Sequence, residues 1–198
     1  ILFAWYNGME GGTALANILY GKVNPSGKLP FSIARNDADY PFFNPYTLKI
    51  EYGYYHGYTL FEKRNIEVAY PFGYGLSYTS FSYDSLKIAE SHLDKTAVLK
   101  ASVNVTNTGK VFGEEIVQLY VGFKHSSIDR PVKLLRGFDK IGLEPGETKT
   151  VDLEVKIGDL AWYDPEDRQW KVEEMDYELF IGASSEGDKL IQTSFKVE

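Results

Sequence analysis

The fold of this chain is decided by the segment PFGYGLSYTSF at positions 71–81. Pro71 fixes one backbone angle, while Gly73 and Gly75 admit backbone conformations that other residues avoid. This composition predicts a rigid corner whose aromatic side chains act as anchors on either side of the turn. The residues that follow change character and are typical of an all-β region, so the corner separates two kinds of structure.

Downstream of Phe81, apolar and polar residues alternate with period two between turns. Leu99, Ala101, Val103 and Val105 fall on one face of such a strand. The EPGE segment at 144–147 has Pro and Gly where a turn requires them. About seven short strands with regular turns predict a β-sandwich. One of them, 116–123, carries apolar residues on both faces.

Upstream of the corner, the pattern is that of an α/β unit. Residues 1–5, ILFAW, form a continuous apolar run that predicts a strand buried on both faces of a parallel sheet. The glycine-rich segment GMEGG at 8–12 follows, and then residues 13–20 predict a helix that ends at Gly21. One strand–helix unit cannot bury both faces of its strand, so we expect residues 1–35 to be the tail of a larger domain.

Residues 36–77 are irregular and aromatic, with YPFFNPY at 40–46 and YGYYHGY at 52–58. So many aromatic side chains favour a packed connection across a domain interface over a solvated linker. The predicted organisation is therefore mostly β: an immunoglobulin/fibronectin type III-like β-sandwich over 78–198, preceded by the terminal strand–helix segment of an α/β sandwich domain over 1–35 and joined to it by 36–77.

Bulk composition excludes several classes of function. The chain has 198 residues, a net charge of −7 and no cysteine. The excess of carboxylates disfavours nucleic-acid binding, and the absence of thiols excludes disulfides and cysteine metal sites. No apolar run reaches the ~18 residues of a membrane-spanning helix, so we expect no membrane partner. Secreted, periplasmic and cytoplasmic locations all remain compatible with the sequence.

Three segments resemble, in their order along the chain, the C-terminal part of glycoside hydrolase family 3 enzymes of the β-glucosidase type. They are GMEGG, NPSGKLP at 24–30 and PFGYGLSYTSF. The β-region is similar to the fibronectin type III-like domain of those enzymes. The matching stretches are VNVTNTG at 103–109, VQLYV at 117–121, RPVKLLRGF at 130–138, LEPGET at 143–148 and IGASS at 181–185. The segment ending in Gly57 and Tyr58 is similar to an aromatic-Gly-Tyr-Arg signature, but Thr59 stands where an Arg is usual.

The resemblance implies a retaining enzyme that removes terminal β-linked glucose, or a related sugar, without metal or organic cofactor. Such an enzyme needs two carboxyl groups roughly 5 Å apart. In the family they lie on a barrel domain and on an earlier part of the α/β domain, and neither motif is found here. We therefore expect the chain alone to be inactive. Its expected partners are the remainder of the same enzyme, on the same or on a separate chain, and a carbohydrate substrate. The sequence leaves open whether the protein forms a homo-oligomer, and whether the chain is one subunit of a split enzyme or comes from a relative with permuted domain order.

No catalytic or metal-binding residue is predicted within the chain, and the substrate-binding candidates are weak: Tyr54, Tyr55 and His56. Tyrosine and tryptophan rings can stack on sugars, but packing is the favoured interpretation for Tyr54 and Tyr55, and also for Trp5, Trp162 and Trp170.

Glu10 is expected to accept backbone N–H groups in the first turn of a helix. Asp164, Glu166 and Asp167 are expected to form a hairpin turn, since their spacing lacks a twelve-residue calcium loop. The alternative function is a non-catalytic carbohydrate-binding or adhesion β-sandwich module.

Overall fold

The fold comes from a computed structural model that describes residues 1–51 and 53–198. Two α-helices span Gly11–Leu19 (α1) and Gly57–Lys63 (α2). The strands are β1 Ile33–Ala34, β2 Val68–Tyr70, β3 Phe81–Ile88, β4 His92–Leu93, β5 Val98–Asn107, β6 Gly113–Gly122, β7 Lys133–Leu143, β8 Thr148–Lys156, β9 Trp162–Asp164, β10 Gln169–Lys171, β11 Asp176–Gly182 and β12 Ile191–Val197. Short 3-10 turns cover Asp37–Asp39, Ile157–Leu160 and Gly187–Lys189.

The predicted β-sandwich is confirmed. One sheet has five strands in the order β4-β12-β11-β6-β7, and the other has three in the order β3-β5-β8. All pairs are antiparallel except β12 with the two-residue β4. Two further two-stranded sheets, β1 with β2 and β9 with β10, lie outside these sheets.

Alternating side chains of the two sheets fill the core, as the period-two pattern predicts. Leu99, Ala101, Val103 and Val105 of β5 are all buried and face Val117, Leu119 and Val121 of β6 together with the inward residues of β8 and β11. The rings of Tyr177 and Phe195 stack with their centroids 5.3 Å apart.

Strand β6, whose sequence carries apolar residues on both faces, is buried on both faces in the structure. Its inward side chains belong to the core, and on its outer face Gln118 and Tyr120 are also buried. The aromatic rings of Tyr58 and Phe72, which lie upstream of the sandwich, pack in this region: Tyr58 makes an edge contact with Tyr120 at 6.3 Å and stacks on Phe72 at 4.9 Å. The upstream part of the chain therefore forms a further layer on the five-stranded sheet.

The strand predicted over residues 1–5 is wrong for this structure. Residues 1–10 contain no strand, and the side chain of Trp5 is exposed, with its ring against Phe3 and Phe31. A strand requires a neighbouring strand to pair its backbone groups, and no described residues supply one here. The predicted helix is confirmed as α1, two residues earlier than expected, and Gly21 follows it with a φ of 69° in the left-handed region.

The aromatic connection is more regular than predicted and only partly packed. It contains α2 and β2, and β2 pairs with β1 of the N-terminal segment. Tyr58 and Phe61 lie against neighbouring elements, whereas Phe42, Tyr46 and Tyr54 are exposed. Tyr52 lies outside the described residues. A packed interface is therefore formed by α2 and the corner, and not by the whole aromatic segment.

Candidate functional site

The corner, residues 71–75, packs directly onto the five-stranded sheet. Gly73 has a φ of 79°, and a Cβ on it would lie 2.1 Å from Gln118 Oε1. The Gln118 amide donates hydrogen bonds to the carbonyl oxygens of Gly73 (3.2 Å) and Ala183 (2.7 Å) and accepts one from the Tyr120 hydroxyl (2.6 Å). This buried network ties the corner to β6 and to the loop after β11.

A docking loop, residues 24–28, lies beside the corner. A Cβ on Gly75 would lie 2.4 Å from the Gly27 carbonyl oxygen, so the two backbones come this close only because Gly75 lacks a side chain. Asn24 donates to the Phe112 carbonyl oxygen (2.9 Å) and accepts from the Ser77 hydroxyl (2.9 Å) and the Tyr78 N–H (2.8 Å). The docking loop is thus held by both the corner and the sandwich.

A buried ion pair fixes the docking loop to β6. Lys28 Nζ lies 2.9 Å from Glu115 Oε1, and only 12% of the Lys28 side chain and 5% of the Glu115 side chain are exposed to solvent. The Tyr83 hydroxyl also donates to Glu115 Oε1 at 2.9 Å. Burial, followed by the Glu115 charge, raises the pKa of Tyr83, so this hydroxyl stays protonated and remains a donor. The carboxylate therefore has a cation and a hydroxyl as partners in a nearly dry environment.

Helix α2 is the third contact between the upstream part and the sandwich. The Tyr58 hydroxyl accepts the Leu135 N–H at 3.1 Å, and Lys133 Nζ lies 2.5 Å from Glu62 Oε1. Burial raises the pKa of Glu62, and the positive charge of Lys133 opposes that shift. Lys63 at the end of α2 also forms an ion pair with Asp129 on the loop between β6 and β7.

A β-bulge in β7 faces the same helix. Leu135 pairs with Tyr120 and Gly137 pairs with Leu119, so Arg136 is an extra residue without a partner on β6. Bulges bend a strand and redirect a side chain, and they are over-represented beside functional sites. The bulge also leaves the Leu135 N–H free for Tyr58. The Arg136 Nε is buried and has no hydrogen-bond partner among the described residues.

The three weak candidates come directly before α2 in the chain. The rings of Tyr54 and Tyr55 meet edge to face at 5.0 Å, and Lys63 Nζ lies 5.2 Å from the centre of the Tyr55 ring. Tyr54 is 67% exposed, so the packing interpretation is wrong for its ring, whereas Tyr55 is half-buried. His56 is exposed and precedes the helix. Of the three consecutive candidates, Tyr54 and His56 are therefore accessible, whereas Tyr55 is partly covered.

Thr59, which replaces the Arg usual in the family signature, caps α2. Its hydroxyl donates to the His56 carbonyl oxygen at 2.8 Å and accepts the His56 N–H at 3.4 Å. Thr59 is buried, and a short hydroxyl satisfies backbone groups at the helix start without a charge.

The remaining predicted residues lie elsewhere, and several predictions about them are wrong. Glu10 precedes α1, but its side chain makes no capping hydrogen bond. Trp162 is half-buried, whereas Trp170 is 71% exposed, because the β9–β10 hairpin lies outside the sandwich sheets; its ring meets Tyr163 at 5.5 Å. The hairpin turn at Asp164 is confirmed: its carboxylate accepts the N–H groups of residues 166 and 167.

In the part of the chain that the structure describes, no group of three or more His, Asp or Glu side chains is arranged to hold a metal ion. Neither of the helices found in residues 1–51 and 53–198 is long and apolar enough to cross a membrane.

Comparison with known proteins agrees with this architecture. Residues 1–78 match the glycosyl hydrolase family 3 C-terminal domain, and residues 115–185 match the fibronectin type III-like domain. The probable beta-glucosidase I of Neosartorya fischeri is 40% identical over 208 residues, which cover 100% of this chain and 24% of the relative. The thermostable beta-glucosidase B of Acetivibrio thermocellus is 39% identical, with 100% of this chain and 27% of the relative covered.

The chain belongs to glycoside hydrolase family 3. It carries the C-terminal portion of a family 3 protein and spans about a quarter of the length of the curated relatives it matches.

Solved structures of similar proteins share the fold. The beta-D-glucoside glucohydrolase of Trichoderma reesei superposes with a TM-score of 0.86 at 31% identity and covers 96% of this chain and 29% of its own. Beta-glucosidase 3B of Thermotoga neapolitana, solved with α-D-glucose, superposes with a TM-score of 0.85 at 35% identity and covers 97% of this chain and 27% of its own.

Within this family 3 portion, sequence reasoning missed the two charged groups at the junction that matter most. From the sequence, Glu115 is only a residue at the edge of a predicted strand. Arg136 is only part of the RPVKLLRGF stretch that is similar to the family. Two adjacent acidic residues, Glu114 and Glu115, at the start of an otherwise apolar strand are a signal for the ion pair with Lys28. No sequence pattern indicates the bulge, since it depends on the register between β6 and β7.

Proposed function

We propose that this chain is the C-terminal segment of a β-glucosidase that removes terminal β-linked glucose, or a related sugar, from oligosaccharides or glycosides with retention of configuration. One observation carries the proposal: the chain matches relatives named beta-glucosidase from end to end. The two catalytic carboxyl groups that this chemistry requires are assigned to the remainder of the enzyme. No metal or organic cofactor is required by this mechanism.

The contribution proposed for this segment is architectural. It consists of an α/β tail over 1–35, a connection over 36–77 and the sandwich over 78–198. The docking loop, the corner and α2 hold the first two parts against the third through a buried ion pair, a buried amide network and stacked rings. This arrangement would fix the α/β tail rigidly on the sandwich and brace the domain that the tail completes.

The partner proposed for the α/β tail is the remainder of the same enzyme. Phe3, Trp5 and Phe31 form an aromatic cluster in which Phe3 and Trp5 are largely exposed. An exposed cluster of this kind marks a surface that another element covers. Tyr54, Tyr55 and His56 are proposed as residues near the carbohydrate, because Tyr54 and His56 are exposed just before α2 and the Tyr55 ring meets that of Tyr54.

The test compares hydrolysis of an aryl β-glucoside by the 198-residue chain and by a longer protein that carries the same chain behind a family 3 barrel. The chain alone is expected to be inactive and the longer protein active. Turnover by the chain alone that disappears in Glu10→Gln would refute the assignment of catalysis to the remainder. An inactive longer protein that is folded and hydrolyses no β-glycoside would refute the proposed activity.

A non-catalytic carbohydrate-binding role is the second candidate, and the exposed Tyr163–Trp170 pair favours it. Retention of the chain on an insoluble β-glucan, lost in Trp170→Ala but kept in the Tyr20→Ala variant of another exposed ring, would establish this role. Absence of retention would leave the hairpin without a carbohydrate ligand.

A further inference from the structure

The loop between β6 and β7, residues 123–132, is held by one carboxylate. The Ser127 N–H and hydroxyl donate to Glu173 Oε1 at 2.8 and 2.7 Å. The Ser126 hydroxyl donates to Glu173 Oε2 at 2.6 Å, and Arg130 Nη1 donates to the same oxygen at 3.3 Å. Four donors from this β6–β7 loop therefore meet at a side chain that is only 12% exposed.

Glu173 itself is fixed to the core of the sandwich. Its carbonyl oxygen accepts a hydrogen bond from the Tyr177 hydroxyl at 3.0 Å, and the fully buried Tyr177 ring stacks on Phe195. Burial acts to raise the pKa of Glu173, but the hydrogen bonds from the β6–β7 loop outweigh it and lower the pKa. The carboxylate therefore stays charged, and hydrogen bonds to a charged acceptor are the strong ones.

The β6–β7 loop in turn contacts the part of the chain that contains the carbohydrate candidates. Asp129 of this loop forms an ion pair with Lys63 at the end of α2. Lys63 Nζ lies 5.2 Å from the centre of the Tyr55 ring, and the Tyr55 ring meets that of Tyr54 edge to face at 5.0 Å. A continuous set of contacts therefore leads from Glu173 through the loop and Lys63 to the aromatic pair before α2.

The ion pair in this set of contacts depends on what holds its two sides. The Lys63 and Asp129 side chains are 42% and 66% exposed, and fixing two long side chains in solvent offsets most of the attraction between them. Helix α2 places Lys63, because the Tyr58 hydroxyl binds the Leu135 N–H of β7 at 3.1 Å. Glu173 places Asp129, because it holds the loop. Both sides are therefore positioned before the pair forms, which reduces the entropy that its formation costs.

We propose that Glu173 is a positioning residue for the aromatic pair Tyr54 and Tyr55. By holding the β6–β7 loop it keeps Asp129 beside Lys63, and Lys63 then stays over the Tyr55 ring. The importance of this arrangement for a carbohydrate rests on the proposed function, in which the two rings lie near the sugar. The positioning itself is a property of the 198-residue chain, and it is measured without enzymatic activity.

The test is NMR spectroscopy of the 198-residue chain and its Glu173→Gln variant. Gln keeps the size of the side chain but puts an NH2 group where hydrogen-bond donors now meet an oxygen. Hydrogen exchange of the Ser127 N–H should accelerate at least about tenfold, the effect of losing a hydrogen bond to a charged group. The Lys63 CH2 protons next to Nζ, which lie near the Tyr55 ring, should move toward the chemical shift of a free lysine.

Glu174→Gln is the matched control. Glu174 is the next residue and also pairs with a lysine, but its partner is Lys95 before β5, at 2.7 Å. This variant should leave both the Ser127 exchange rate and the Lys63 signals unchanged. In every variant the methyl signals of Leu179 should keep their positions, because a shift there would reveal a change in the core of the sandwich.

Two further variants separate the steps. Asp129→Asn should move the Lys63 signals as Glu173→Gln does, yet leave the Ser127 N–H protected. Combining Asp129→Asn with Glu173→Gln should move the Lys63 signals no further than either change alone, because both act through the same ion pair. Ser127→Ala removes one donor and keeps the carboxylate, so it should move the Lys63 signals in the same direction by less. It decides the question if Glu173→Gln does not fold.

The proposal is overturned if the Ser127 N–H or the Lys63 signals of Glu173→Gln match those of the parent, or if Glu174→Gln moves them equally. In the longer protein that carries the barrel, Glu173→Gln should raise the Michaelis constant for an aryl β-glucoside about two- to fivefold and keep kcat, as expected for a weakened cation–ring contact. Moved Lys63 signals with an unchanged Michaelis constant would support the positioning and refute the placement of Tyr54 and Tyr55 near the carbohydrate.

Discussion

Gly73→Ala tests how the corner is held, because two separate costs meet at this residue. A φ of 79° is unfavourable for any side chain by about 1–2 kcal/mol. The new Cβ would also lie 2.1 Å from Gln118 Oε1, so the amide must move away. That movement breaks the hydrogen bonds of Gln118 to Gly73, Ala183 and Tyr120, each worth about 1 kcal/mol. We expect a loss of about 3–5 kcal/mol, well above the ~1 kcal/mol of an average substitution.

Gly146→Ala is the matched control. Gly146 has nearly the same φ, 78°, but nothing lies within 4 Å of the position that a Cβ would occupy. This control should therefore show the backbone cost alone, about 1–2 kcal/mol. The difference between the two variants isolates the contact with Gln118. Adding Gln118→Ala to Gly73→Ala should cost less than the sum of the single changes, since both remove the same hydrogen bonds.

Urea unfolding of the 198-residue chain measures these losses, with far- and near-ultraviolet circular dichroism required to give coincident transitions. The reasoning is refuted if Gly73→Ala and Gly146→Ala lose the same stability, because the corner would then yield without disturbing β6. It is also refuted if the double variant is fully additive, because Gln118 would then not be the group that the new side chain displaces.

Three further expectations concern charge and exposure. Lys28→Met should cost about 3–5 kcal/mol in urea unfolding, because it leaves Glu115 buried without its cation. Adding Glu115→Gln to Lys28→Met should recover much of that loss. Equal losses in the single and the double variant would contradict this. Because the pKa of Glu62 is raised above its ordinary 4.5, its contribution to stability should be complete below pH 4.5 and lost as the pH rises through the folded-state pKa. The free energy of unfolding of Glu62→Gln, plotted against pH, should lack this decline. Parallel curves for the parent and the variant would argue against it. Trp170→Ala should change the free energy of unfolding by less than about 0.5 kcal/mol, whereas Leu179→Ala in the core should cost about 2–5 kcal/mol; a comparable loss in both would show that the hairpin packs on the fold.

The sandwich was predictable from sequence because its signal is local and repeated. Period-two alternation places Val103 and Val105 in the core without any knowledge of the partner strand. The corner was predictable for a similar reason, since Pro71 and Gly73 restrict and permit backbone angles wherever they occur.

The errors arise where a residue's environment is set by distant parts of the chain. Residues 1–5 have the composition of a buried strand, but a strand forms only beside another, and among the described residues none pairs with them. Trp170 has the character of a core residue, yet it lies on a hairpin outside both sandwich sheets. Arg136 was overlooked because a bulge results from the register of two strands and not from the residue itself.

The division at residue 78 follows the change of sequence character, but the contacts cross it. Tyr120 belongs to the sandwich and is buried, with Tyr58 against it and Gln118 tied to Gly73. Glu115 likewise belongs to the sandwich, while its cation, Lys28, belongs to the α/β tail. A fragment of residues 78–198 would keep its core and its strand pairing, yet it would carry an exposed aromatic ring and a half-buried carboxylate without its cation. We expect that fragment to fold independently, with its lowest stability on the outer face of β6. The same contacts explain how the segment can act as a brace: the sandwich is completed on that face only when the upstream part is docked, so each part stabilises the other.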